Sequence, residues 1–229
     1  MIRKILNIHE TFFLIFVKCI LGNNGGIFLL LIKKRESTEE NHVKLVAYTI
    51  ILYICSIFVP FIAVPSYQSM VYYSRSQWFF STPFSAYITF MGGMIYIAVI
   101  LTLYLIFRQR WEGNWFKVVL AAMILASIPA FILSLTNYYY LDNEGIHYNK
   151  LKSLKEKEYR WDRISKVHIL YRNHQGTTSF YQYRFEMPDG SEITIPSNDK
   201  LVEHKWRVEN KIIENKIPIT DNFKNPIVD

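Results

Sequence analysis

Cysteine is nearly missing from this chain: two in 229 residues, Cys19 and Cys55, both inside apolar segments. No disulfide framework and no cysteine-based metal site can be built from such a pair. Charge is missing in a more informative way, because Leu45–Val64, Ser85–Phe107 and Val118–Leu141 contain no charged side chain at all. That argues against a pump or an ion-coupled carrier, which needs ionisable groups inside its spans. Catalytic signatures are missing too. His9-Glu10 opens like a zinc-protease helix, but Phe13 stands where the second histidine of HExxH belongs. His168 and His174 are too isolated from other candidate ligands to hold a metal. There is no nucleophile elbow and no phosphate-binding loop. The expectation is a chain without catalytic residues, metal or cofactor. At the N-terminus no compact apolar stretch is followed by a small-residue cleavage site, so a removable signal peptide is not expected.

The three uncharged runs each reach the ~20 residues that cross a hydrocarbon core of ~30 Å. A helix in the core of a water-soluble protein would show a polar face, and these do not. A multi-pass protein of the cell membrane follows, with the lipid bilayer as its first partner. Residues 1–141 carry 11 Lys and Arg against 5 acids, and residues 142–229 carry 15 against 14. The basic excess therefore flanks the spans, as juxtamembrane charge does, and gives no reason to expect nucleic acid.

Residues 1–44 read as an interfacial amphipathic region. Ile2, Ile5, Leu6, Phe12, Phe13 and Phe16 fall on one helical face, with Lys4, Asn7, Thr11 and Lys18 opposite. Residues 11–32 make a poor span, since a mid-span lysine costs ~3 kcal/mol. The bundle then occupies 45–141. Gly92-Gly93 in its second span is expected to pack against the seam Ala122, Ala126 and Ala130 in its third, where small residues let helices approach closely. The loop from Ser66 to Phe84 places Trp78, Phe79 and Phe80 where an aromatic belt would meet headgroups.

Beyond Thr136 the apolar period changes from helical to two. Tyr138–Leu141 and Ile146–Tyr148 flank a turn at Asp142–Gly145, and Tyr181, Tyr183, Phe185 and Met187 share one face of a strand. Pro188-Asp189-Gly190 then turns the chain toward Ile193 and Ile195, which reads as a hairpin. Asn198 or Asp199 can cap a helix over about 200–216, its buried face formed by Leu201, Val202, Trp206, Ile212 and Ile213. Residues 142–229 are thus a small α+β domain of five or six antiparallel strands with a closing helix.

The segment YYYLDNEGIHYN, a lysine-rich connection, YRWDRISKVHI, the hairpin YRFEMPDGSEITIP and a closing helix resemble, in that order, bacterial pleckstrin-homology-like (PH-like) domains. The resemblance covers roughly 138–217. It implies a strongly bent antiparallel sheet capped by a helix, placed directly after transmembrane helices, with a role in binding or assembly. Lys150, Lys152, Lys155 and Lys157 lie where such domains can carry a basic hairpin, so an anionic phospholipid or a partner protein is the candidate ligand. A Lys-protected sheet edge is the plainer reading of the same residues, particularly since Glu156 and Glu158 interrupt the patch. The expected function is a non-enzymatic membrane protein whose domain binds a partner protein or the membrane surface, in a regulatory, immunity or envelope role. The alternative is a component of a transport assembly. Arg108, Arg110 and Lys117 outweigh the lone Arg75 of the preceding loop, which puts the loop 108–117 in the cytoplasm and the β domain outside it.

Overall fold

A computed structural model describes residues 38–107, 114–151 and 155–228. The interfacial reading of the N-terminal region, Lys152 and most of the loop 108–117 lie outside the described residues. The described chain divides into two compact units. The first takes 38–73, 82–107, 114–138 and 150–151; the second takes 74–81, 139–149 and 155–228.

The first unit is helical. Helix α1 (Thr38–Tyr72) runs through Pro60 and Pro65, so the loop begins later than Pro65 suggests. In an apolar segment a proline is tolerated because hydroxyls and neighbouring helices take up the freed backbone groups. Helix α2 (Phe84–Phe107) follows, and then α3 (Asn114–Leu125) and α4 (Ile128–Thr136). The break between α3 and α4 falls just before Pro129, whose ring nitrogen has no N–H to donate; beside it the Ser127 hydroxyl and N–H both bond Ile124 O, at 2.7 and 3.0 Å. His42–Tyr72, Phe84–Phe107 and Val118–Thr136 are each long and apolar enough to cross a membrane. Phe90, Met94, Ile97 and Leu101 form the buried stripe of α2 at helical spacing, while Ile54, Phe58, Phe61 and Ile62 of α1 are exposed.

The expected glycine–alanine seam is not how these helices meet. Ala122 and Ala126 are exposed, and Gly92 has open space beside it. Gly93 is the close approach: a Cβ there would sit 3.0 Å from the ring of Phe131, which also makes an edge contact with Phe90 at 4.9 Å. The break before Pro129 separates Ala122 and Ala126 from Ala130, so the three alanines do not share one straight helix.

The second unit holds two sheets. Strands β1 (Phe79–Ser81), β2 (Tyr138–Leu141), β3 (Gly145–Asn149) and β4 (Lys157–Arg160) form one sheet in that order. β1 comes from the connection between α1 and α2 and pairs antiparallel with β2, Phe79 opposite Leu141. Phe79 is buried in the core of this unit and Trp78 packs against that core, so these two rings are not belt residues. A 3₁₀ turn (Trp161–Arg163) leads to β5 (Lys166–His174), β6 (Thr177–Glu186) and β7 (Glu192–Pro196). The β5–β6 turn needs Gln175 and Gly176 at positive φ, and Gly190 supplies the same freedom between β6 and β7.

Asn198 caps α5 (Asp199–Glu203), accepting the Leu201 N–H at 2.8 Å, and α6 (Lys205–Glu214) follows after His204. The expected buried face is partly wrong. Leu201, Val208 and Ile212 enter the core, whereas Val202, Trp206 and Ile213 are exposed. Leu201, Val208 and Ile212 keep the spacing of seven and four that a single helical face keeps, and Val202, Trp206 and Ile213 lie off that face whatever their size. Beyond Ile217, β8 (Ile219–Asp221) and β9 (Ile227–Val228) add to β5 in parallel, which the expectation of an all-antiparallel domain did not include.

Candidate functional site

The lysine segment joins β3 to β4. Lys150, Lys155 and Lys157 are exposed. Lys150 falls in the first unit and Lys155 and Lys157 in the second, so the structure does not define them as one patch. Lys157 leads β4, and its charge helps to hold the Asp189 carboxyl below its ordinary range, after the larger effects of the Ser191 hydroxyl and N–H.

Glu156, which interrupts the lysines in sequence, is engaged with the sheet. Its Oε1 lies 3.0 Å from His147 Nδ1 and accepts the Tyr140 hydroxyl at 2.8 Å. The Tyr140 ring stacks on His147, 4.4 Å between centroids and 6° from parallel. On the other side of the imidazole, Nε2 lies 3.3 Å from Asp142 Oδ2. The other oxygen of Asp142 accepts the N–H groups of Glu144 and Gly145, which builds the β2–β3 turn. Burial, and then the hydrogen bond and charge of Glu156, push the Tyr140 phenol well above its ordinary value.

This constellation was not singled out in the sequence, because its members come from a strand, a turn, a second strand and a loop. The available signal was the spacing of Asp142 and His147 across a tight turn. Chemically the group is self-contained. The carboxylates sit on opposite edges of one ring and do not converge on a point. Among the described residues no group of His, Cys, Asp and Glu is arranged to hold a metal ion. The geometry holds the β3–β4 segment to the sheet.

The first unit has its own buried polar group, also missed because Gln68 reads as a loop residue in sequence. The Gln68 amide donates to the carbonyls of Ser134, Leu135 and Asn137 at 3.2, 3.3 and 2.8 Å, and its Oε1 accepts the Thr82 hydroxyl at 2.6 Å. Ser134 Oγ reaches Ala86 O at 2.7 Å, and Asn137 Nδ2 reaches Ser85 Oγ at 2.7 Å. The last carbonyls of a helix lack intrahelical partners, and here the Gln68 amide at the end of α1 serves those of α4, while Ser134 and Asn137 donate to the start of α2. This cluster fixes the point where α4 gives way to β2.

A third feature lies along β5. Asn222 brackets Tyr171, accepting its N–H at 2.6 Å and donating to its carbonyl at 3.1 Å. It does so where the β5–β6 register shifts between Leu170 and Tyr171. Comparison of the chain with protein-family models, with curated proteins and with solved structures finds no match. The functional reading rests on these residues alone.

Proposed function

We propose that this is a non-enzymatic integral protein of the cell membrane whose β domain is a PH-like binding module, and that its ligand is a partner protein. The observation that carries the reading is chain connectivity. A single residue, Asn137, separates α4 from β2, and two residues, Thr82 and Pro83, separate β1 from α2. A domain tethered twice without a linker holds whatever it binds at the membrane surface. The order of strand pair, lysine segment, three-stranded meander and capped helix supports the PH-like assignment.

Two ligands suit such a module, and electrostatics separates them. A lysine near an anionic surface contributes ~1 kcal/mol. The lysine segment offers few such charges, Lys157 also faces Asp189, and residues 142–229 carry 15 basic against 14 acidic side chains. An anionic headgroup would gain little from so neutral a domain, which favours the protein partner. The regulatory, immunity or envelope role and the transport-assembly role differ in what that partner is.

The test is purification of the full chain in mild detergent, with the retained proteins and lipids identified. A partner kept by the native chain and lost with Trp206→Glu or Lys155→Glu/Lys157→Glu supports the module. Retention of anionic phospholipid alone, lost in the double lysine variant, replaces the protein reading with the lipid one. A retained transporter selects the transport assembly.

Sidedness follows from the basic loop 108–117, which we place in the cytoplasm, with the β domain outside. The β1–β2 pairing requires an even number of crossings between Ser81 and Tyr138, as two spans provide. A cysteine at Ser191, in a chain with Cys19→Ser and Cys55→Ser, should react with an impermeant thiol reagent on intact cells. Reaction only after lysis would reverse the assignment.

A further inference from the structure

Residues 218–228 lie on β5 in an unusual way. Val167 donates its N–H to Pro218 O at 2.9 Å, β8 then runs parallel to Val167–Ile169, and β9 runs parallel to Arg172–Asn173. Between the two short ladders Asn222 makes its pair of bonds to Tyr171, while Thr220 Oγ1 meets His168 Nδ1 at 2.8 Å. The side chains contribute little to the core. Ile217 is 6% exposed and anchors the end of the helical segment, but Ile219, Phe223 and Val228 are 48%, 59% and 75% exposed. The segment is held by main-chain hydrogen bonds in parallel pairing, which is slightly weaker per residue than antiparallel, together with the Asn222 amide, the Thr220–His168 hydrogen bond and an edge contact of Phe223 with Tyr171 at 5.1 Å. Such a segment opens locally without unfolding what lies beneath it.

The amide stands in the gap between the two short ladders, which reach β5 at Val167–Ile169 and at Arg172–Asn173, and there Asn222 supplies from its side chain an acceptor and a donor in place of a peptide group. Aspartate has no donor, and glutamine is one methylene longer.

We propose that the edge of β5 from Val167 to Asn173 is a strand-addition site for an extended peptide segment of a protein partner, and that residues 218–228 occupy it in cis. This rests on the binding-module reading and names its site. The partner segment runs parallel to β5 and presents an asparagine opposite Tyr171. Affinity comes from main-chain bonds and selectivity from that one side chain, as in other edge-strand recognition. The cis segment competes at an effective concentration of roughly millimolar, so the site opens only to a segment that outcompetes it or after the cis segment is released.

The experiment uses the full chain in detergent and a fluorescent peptide with the sequence of residues 217–228. Asn222→Ala in the protein should tighten peptide binding at least tenfold over wild type. The same substitution in the peptide should weaken its binding to that variant at least tenfold. Amide exchange at 167–173 should speed up in the variant and slow again when peptide is added, with 182–186 protected throughout. A second protein, ended after Ile217, should bind the peptide at least as tightly as Asn222→Ala. If neither protein binds better than wild type, or if the peptide's asparagine makes no difference, the proposal is wrong. Peptide binding without any co-purifying protein would leave the edge site standing and remove the partner reading. A co-purifying protein without peptide binding would do the reverse.

Discussion

The two units place the same kinds of side chain in opposite positions. In the first, Phe58 and Ile62 are 64% and 70% exposed, while Gln68, Ser134 and Asn137 are buried and bonded to one another's helices. In the second, Tyr183, Phe185 and Leu201 are buried, and Lys155, Lys157 and Arg160 stand outside. Each arrangement is stable only in its own solvent. Lipid accepts an apolar exterior and makes every unpaired polar group costly, so polar side chains are spent on helix ends. Water drives apolar groups inward and leaves charge outside. Burial alone therefore does not mark a core residue here; its meaning depends on which of the two units the residue belongs to.

The sharpest way to break that comparison is at the one place where the sequence order misleads. Phe79 sits in the connection between two spans yet is 2% exposed in the core of the second unit. Phe79→Ala should cost the β domain ~3–5 kcal/mol, as truncation of a buried phenylalanine does. Urea melting of the full chain in detergent, followed by near-ultraviolet circular dichroism, reads this directly. An unmoved midpoint would return Phe79 to the membrane belt.

A smaller effect tests the helical unit. Gly93→Leu should lower the thermal midpoint in detergent by the equivalent of ~1–3 kcal/mol, because the new side chain meets Phe131. Gly92→Leu and Ala126→Leu, both at exposed positions, should leave it nearly unchanged. Equal loss in all three would restore the glycine–alanine seam.

Tyr183 tests the other core. Its hydroxyl is buried and meets no hydrogen-bond partner among the described residues. Burial, and then the charges of Glu209 and Tyr171, push its ionisation well above the ordinary value. A folded value raised above the unfolded one gives stability that is complete below pH ~10 and is lost as pH rises further. Tyr183→Phe should therefore stabilise the domain by ~1 kcal/mol near neutral pH and flatten its alkaline melting. Destabilisation would mean the hydroxyl has a partner. The smallest effect belongs to Trp206, 55% exposed and lying beside the Arg207 guanidinium at 5.0 Å. Trp206→Ala should change stability by no more than ~0.5 kcal/mol.

The sequence makes the helical unit legible because its signal is composition over long windows, which needs no knowledge of partners. The hairpin of β6 and β7 is legible for a related reason: Tyr183, Phe185, Ile193 and Ile195 alternate on either side of Pro188-Asp189-Gly190, and alternation is local. What is hidden depends on pairing across distance. β1 is three residues long, too short to carry a period, and its partner lies three helices away. The buried stripe of the closing helices is hidden by more conspicuous apolar neighbours: Val202, Trp206 and Ile213 draw the eye but lie off the face of Leu201, Val208 and Ile212. The Asp142–His147–Glu156 group shows the limit at the candidate site. Each residue is ordinary in sequence, and only the β3–β4 connection brings Glu156 back to His147. The lysines are the reverse case, conspicuous in sequence but divided, where described, between the two units.

The pairing of Phe79–Ser81 with Tyr139–Leu141 also imposes an order of events. β1 is synthesised before α2, α3 and α4, and β2 after all of them, so the β1 strand waits without its partner while the intervening helices are made. Domains whose residues are contiguous can close as they emerge during synthesis; this one cannot, since its first strand is paired only after both later spans have crossed. Insertion that left an odd number of crossings would strand Phe79 on the far side and leave a domain with an unfilled core and a bare sheet edge at Tyr139–Leu141. Such a product is open to proteases and to strand pairing with other chains, so completion of the β domain reports that the helices before it have been threaded correctly.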